Sequence, residues 1–119
     1  MASRDEHMAQ AHRNRTLAER LADDGDFEWA VTALFYAALH LIQAYAIAEG
    51  FDIGTHAERG RWMRNTTALH AILGPYRVLR SRSQDARYEC RRFSRQQFGD
   101  LHMHEVARVS EHMSTLFRR

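Results

Sequence analysis

Polar and apolar positions alternate along most of this chain, but one stretch has no polar face. Phe27 to Ala48, FEWAVTALFYAALHLIQAYAIA, is apolar almost all the way round, and no charge follows Glu28 until Glu49. It is rich in Ala and Leu and lacks Gly and Pro, which predicts a helix of about six turns. A helix without a polar face has to be wrapped on all sides. The remaining segments are therefore read as its wrapping.

They have the right character. Ser3-Arg4-Asp5-Glu6 has the pattern of a capping box, which satisfies two orphan backbone donors reciprocally. It opens a first helix that runs to about Leu21, with Ala11, Leu17, Ala18 and Leu21 as its apolar stripe. Gly25 suits a left-handed turn position and Asp26 a helix cap, so the short link predicts an antiparallel hairpin. The central helix stops near Glu49-Gly50, and Thr55-His56-Ala57-Glu58 is a second capping box. It opens a third helix, in which Asn65-Thr66-Thr67 marks a break. Gly74-Pro75 reads as a stop and restart, giving a fourth helix from Pro75 to about Cys90. Tyr76, Leu79, Ser83, Ala86 and Cys90 form its seam. Arg91 to Gly99 reads as irregular. A last helix, about Asp100 to Phe117, presents Met103, Val106, Val109, Met113 and Leu116. The expected fold is all-α: an antiparallel up-and-down bundle of four to five helices in one domain spanning residues 1–119.

The central stretch also meets the length threshold of a membrane span, because Trp29 to Ala48 is twenty residues without a charge. Two features favour a soluble core helix instead. Thr32, Tyr36, His40, Gln43 and Tyr45 would each need a partner in lipid, and the flanks are acidic where an anchored helix has basic ones. Composition agrees with a soluble, cytoplasmic protein that makes no membrane contact. Apolar residues make up 45%, charged residues 27%, and Cys90 is alone, so no intrachain disulfide can form. The first apolar run begins too late for a signal peptide.

Charge changes the picture more than its total of +2 suggests. All seventeen basic residues are Arg. From Glu19 to Asp52 seven acids face one Arg; from Glu58 to Arg95 ten Arg face three acids. One account is attraction between oppositely charged parts of a bundle, or between subunits. The other is an Arg patch for phosphate or RNA, which guanidinium groups bind bidentately.

Three stretches together resemble the HEPN-domain family: AVTALFYAALHLIQAY from Ala30 to Tyr45, THAER from Thr55 to Arg59, and Tyr76-x2-Leu79-x3-Ser83-x2-Ala86-Arg87-Tyr88. Their order and separation cover nearly the whole chain. The resemblance implies a helical bundle, usually a homodimer. It implies either a metal-independent ribonuclease, often of a toxin–antitoxin or defence system, or a non-catalytic partner of a small nucleotidyltransferase. Nuclease members carry Arg-x(4–6)-His. Arg64 to His70 matches with five residues between, and Arg95 to His102 with six. In a continuous helix Arg64 and His70 would lie about 120° apart, so they converge only if the helix breaks between them.

The candidate catalytic residues are thus His40, His70, Arg64 and Arg87. Tyr36, His56, Arg59, Ser83 and Tyr88 are the candidate phosphate-binding set. An imidazole moves protons near neutral pH and Arg holds a phosphate, which is what RNA cleavage requires. His40 also has a plainer reading, as a core His bonded to a neighbouring helix. No cofactor or metal is expected. There is no Gly-rich phosphate loop, and His102 and His104 point to different faces of a helix. Cys90 reads as core, and Trp29 and Trp62 as packing residues.

Overall fold

The computed structural model describes residues 1–118. Helix α1 (Arg4–Asp23) and helix α2 (Phe27–Ala48) form the expected antiparallel hairpin. The Ser3–Glu6 capping box is made in both directions, and Gly25 turns the link at φ +83. Helix α3 (His56–Arg64) ends at Asn65, and a 3-10 turn (Thr67–Ile72) follows. Helix α4 is Leu73–Tyr88. The last rod has three parts: α5 (Arg95–Asp100), a π-helical turn (Leu101–Val106) and α6 (Ala107–Phe117).

The architecture is an all-α bundle of five antiparallel-packed rods with α2 at its centre. Helix α1, helix α4 and the C-terminal rod all lie against α2. Val31, Leu34, Phe35 and Ile42 are fully enclosed. Of the most apolar 18-residue window of α2, 72% is buried inside the protein. The helix that is long enough to cross a bilayer is therefore covered by its own chain. The radius of gyration, 13.7 Å, is that of a compact domain of this length, about 13.5 Å.

Several boundaries differ from expectation, each for a physical reason. Helix α4 begins at Leu73, not Pro75, because the 3-10 turn runs directly into it. Gly74 and Pro75 sit inside its first turn, where a missing N–H costs nothing. The helix ends at Tyr88, and Cys90 is exposed with φ +54, so it leaves the seam and is not a core residue. The 91–99 stretch is not irregular throughout. A capping box between Ser94 and Gln97 starts α5, and Phe93 and Phe98 are buried. Met103 faces outward at 71% exposure. The π turn explains this: with i→i+5 bonding, Leu101 and Val106 both point inward and Met103 is rotated out. In α1, Ala22 is buried and Leu17 is exposed. Trp29 is 59% exposed, so it is not a packing residue of this chain, whereas Trp62 packs against Tyr45 and Phe51. Asp26 occupies the cap position of α2 without a side-chain bond, and Thr55 caps α3 from one side only.

Candidate functional site

Positions 80, 83 and 87 recur at i, i+3 and i+7 and so share one face of α4. That face meets Tyr36 of α2 and the first turn of α3. Arg87 is held at several points. Its Nη1 donates to Tyr36 Oη at 2.8 Å, its Nη2 to Ser83 Oγ at 3.2 Å and its Nε to the Ser83 carbonyl at 3.2 Å. Its guanidinium carbon lies 5.5 Å from the Tyr36 ring centre and 5.0 Å from that of Tyr88. Two aromatic faces and a fully buried Ser thus hold this one cation in a fixed orientation.

Arg59 is the second cation and is only 6% exposed. Its Nε and Nη2 donate to Gln43 Oε1 at 3.3 and 3.2 Å, and Nη2 also reaches the Ile53 carbonyl at 3.4 Å. Gln43 is itself fixed by donating to that carbonyl at 3.0 Å. All these acceptors are neutral. Arg80 is the third cation, and its Nε is buried without a partner. Among the described residues, no carboxylate lies within ion-pairing distance of Arg59, Arg80 or Arg87. Gathering cations out of water without a counter-charge is costly.

His56 sits among them. Its ring is tilted against Phe35 at 5.9 Å, and its Nδ1 accepts from Arg59 Nη1 at 3.4 Å, which leaves the ring proton on Nε2. Burial first, then Arg80, Arg59 and Arg87, push its pKa below the ordinary imidazole value. Tyr76, buried beside Arg59, has its hydroxyl pKa raised, chiefly by burial. The cluster is a surface feature: Tyr36, His56, Arg80 and Arg87 are all half-buried.

His40 lies one turn beyond Tyr36 on α2. Its Nδ1 is 3.0 Å from Nδ1 of His7, and the two rings stack with centres 5.2 Å apart. One ring must carry a proton on Nδ1 and donate it to the other. His40 is held below its ordinary pKa by burial, then by His7, Arg59 and Arg13. His7 was not legible as a candidate. It meets His40 only through the hairpin, 33 positions away, and no local spacing signals that.

The other candidates stand apart from this group. The chain does break between Arg64 and His70, and the two residues meet, but through the backbone. His70 Nε2 donates to the Arg64 carbonyl at 2.7 Å, while the Arg64 side chain lies over Gly60. Both are exposed, and this contact closes the junction between α3 and the 3-10 turn. Arg95 rests over the Phe27 ring at 5.3 Å, whereas His102 stacks on Phe98 and lies 3.4 Å from Glu19. His112 donates to the Ala68 carbonyl. The structure thus brings together Tyr36, His56, Arg59, Ser83, Arg87 and Tyr88, adds Arg80 and Tyr76, and leaves Arg64 and His70 outside. Arg80 was not among the candidates; its seven-residue spacing from Arg87 is the signal in the sequence that points to it.

No family model, curated protein or solved structure matches the chain.

Proposed function

We propose that this is a cytoplasmic protein of HEPN type that binds a phosphate of RNA or of a nucleotide at the junction of α2, α3 and α4. One observation carries the reading: Arg59, Arg80 and Arg87 gather about His56, Arg59 is buried, and among the described residues no carboxylate lies within ion-pairing distance of any of the three. An incoming phosphate would supply the missing charge. Arg87 and Arg80 offer N–H donors to it, and His56 offers Nε2–H. Arg59, tied to Gln43 and Ile53, contributes mainly its field.

Metal-independent RNA cleavage is the extension of this reading that the His pair favours. With both rings neutral, the Nδ1 donor of the His7–His40 pair exposes a bare Nε2, and the acceptor carries Nε2–H. The pair thus holds one proton acceptor and one donor. The bare nitrogen takes the 2′-hydroxyl proton as that oxygen attacks phosphorus. The 5′-oxygen leaves with the Nε2 proton of the other ring as the shared Nδ1 proton crosses to that ring, so both rings end neutral with their roles exchanged and a 2′,3′-cyclic phosphate remains. A non-catalytic role as a dimeric partner of a nucleotidyltransferase, in a toxin–antitoxin or defence system, is the second reading. It is favoured by the apolar depression beside the cluster, where Leu17 and Trp29 are 38% and 59% exposed next to Tyr36. That face also suits a homodimer.

The test is binding and cleavage of a labelled single-stranded RNA in EDTA at low salt. Wild type should bind, with affinity falling as salt rises. Arg87→Gln and Arg80→Gln should each weaken binding about tenfold, the loss of one charged contact. Binding that is absent, or unchanged in both variants, refutes the phosphate site. Cleavage that persists unchanged in His40→Ala removes the His pair from the chemistry. Binding without cleavage leaves the partner role.

A further inference from the structure

On the opposite face of the α1–α2 hairpin, α1, α2 and α6 leave a cavity of about 220 Å³. Its origin is in the sequence. Ala11 of α1 and Ala37 of α2 meet where larger side chains would fill the space, and both are buried. Leu41, Met113 and Met8 complete an apolar wall, and two of these are unbranched thioethers that adapt to a guest.

The mouth has a different character. His12, Arg15, Ser110 and Ser114 line it. Arg15 Nη1 donates to Ser110 Oγ at 3.3 Å, so the guanidinium is directed at the rim while most of its donors stay free. Arg4 lies 4.9 Å above the ring of Phe117, which also borders the cavity. None of the lining residues is acidic, and among the described residues neither Arg4 nor Arg15 has a carboxylate partner. This is an apolar hole with a cationic, hydroxyl-bearing lip.

From this geometry we infer that the cavity binds a small amphipathic carboxylate, its apolar body between Ala11, Ala37 and Met113 and its head on Arg15 and Ser110. Size sets the class. A cavity of about 150 Å³ takes a benzene ring. The additional space here fits a body of about six carbons and a carboxylate. The lip selects charge: a carboxylate accepts bidentately from a guanidinium, whereas an alcohol offers one neutral oxygen and an amine is repelled. This site is separate from the Arg59–Arg80–Arg87 cluster and does not rest on its assignment.

The experiment is an NMR titration of the whole chain with hexanoate, hexanol and hexylamine. Amide and methyl signals are followed in Ala11, Ala37, Met8 and Met113. Hexanoate should shift these signals saturably, with hexanol weaker by about tenfold and hexylamine not binding. Arg15→Gln should bring hexanoate down to the hexanol level, and Arg15→Lys should keep part of the preference. Arg87→Gln should leave hexanoate binding unchanged. The inference is overturned if hexanoate gives no saturable shift at these residues. It is also overturned if hexanol binds equally well to wild type, or if the shifts centre on Arg59 and Arg87.

Discussion

Phe35 joins the core to the cationic cluster, so Phe35→Ala tests both. The ring is fully buried and lies 5.2 Å from Tyr36, 5.9 Å from His56 and 5.7 Å from Tyr76, centre to centre. Truncating a buried Phe to Ala costs about 3–5 kcal/mol. Aromatic pairs add about 0.5–1.5 kcal/mol beyond burial, and Phe35 makes two with Tyr36 and Tyr76, so the upper part of the range applies. A domain of 119 residues has a stability of roughly 6–18 kcal/mol, so the variant remains folded over most of that range. Urea denaturation should show a midpoint shift equivalent to about 5 kcal/mol at constant slope. The same variant has a second readout. Burial is the largest cause of the low His56 pKa, and Phe35 is part of the wall that buries it. Removing the ring should therefore raise the His56 titration midpoint toward 6.5, followed by NMR of the imidazole carbons. A loss under about 1.5 kcal/mol would mean that α2 is not a close-packed inner rod at this position. A normal loss with an unmoved His56 would mean that charge, not burial, controls the imidazole.

Further expectations concern pH, the thiol, the turn and the C-terminal rod. His40 and His56 have folded-state pKa values below 6.5, so as pH falls past 6.5 the unfolded chain takes up protons that the folded one refuses. Stability should therefore fall with pH below 6.5 and level off beneath the folded values; a His40→Gln, His56→Gln double variant with the same slope would refute this. Cys90 is exposed, so a thiol reagent should label it in the native state, and Cys90→Ser should change stability by less than about 0.5 kcal/mol. Labelling only on denaturation would place it back in the core. Gly25 holds φ +83, so Gly25→Ala should destabilise by about 1 kcal/mol despite open space around it. Met103→Ala should be nearly neutral, whereas Met113→Ala should cost about 2–5 kcal/mol; equal costs would contradict the register set by the π turn.

Local grammar in the chain was readable in most short segments, although the Ser94–Gln97 capping box was missed and the Asp26 and Thr55 caps are weaker than expected. The Ser3–Glu6 box, the glycine turn at 25, the helix spanning Phe27–Ala48 and the break after Arg64 all stand as read. So does the central position of the apolar helix. Errors gathered where a neighbour decided. Pro75 looked like the opening of α4 because Pro suits a helix's first turn; it does lie in that turn, but the preceding 3-10 turn runs on into the helix and sets its start two residues earlier. Met103 obeyed a period of 3.6 on paper, and a single π turn moved it to solvent.

The candidate site divides the same way. Its residue types, and the shared face of Ser83 and Arg87, follow from sequence spacing alone. The approach of Arg87 to Tyr36 across 51 positions, of Arg59 to Gln43, and of His7 to His40 depends on how the rods pack. The sequence determined an all-helical chain with one rod needing full enclosure, because apolar periodicity and capping act within a few residues. Only tertiary structure decided which cations share a neighbourhood without an acid, because that depends on the rotation and offset of each rod about α2. Those are set by how the whole core closes.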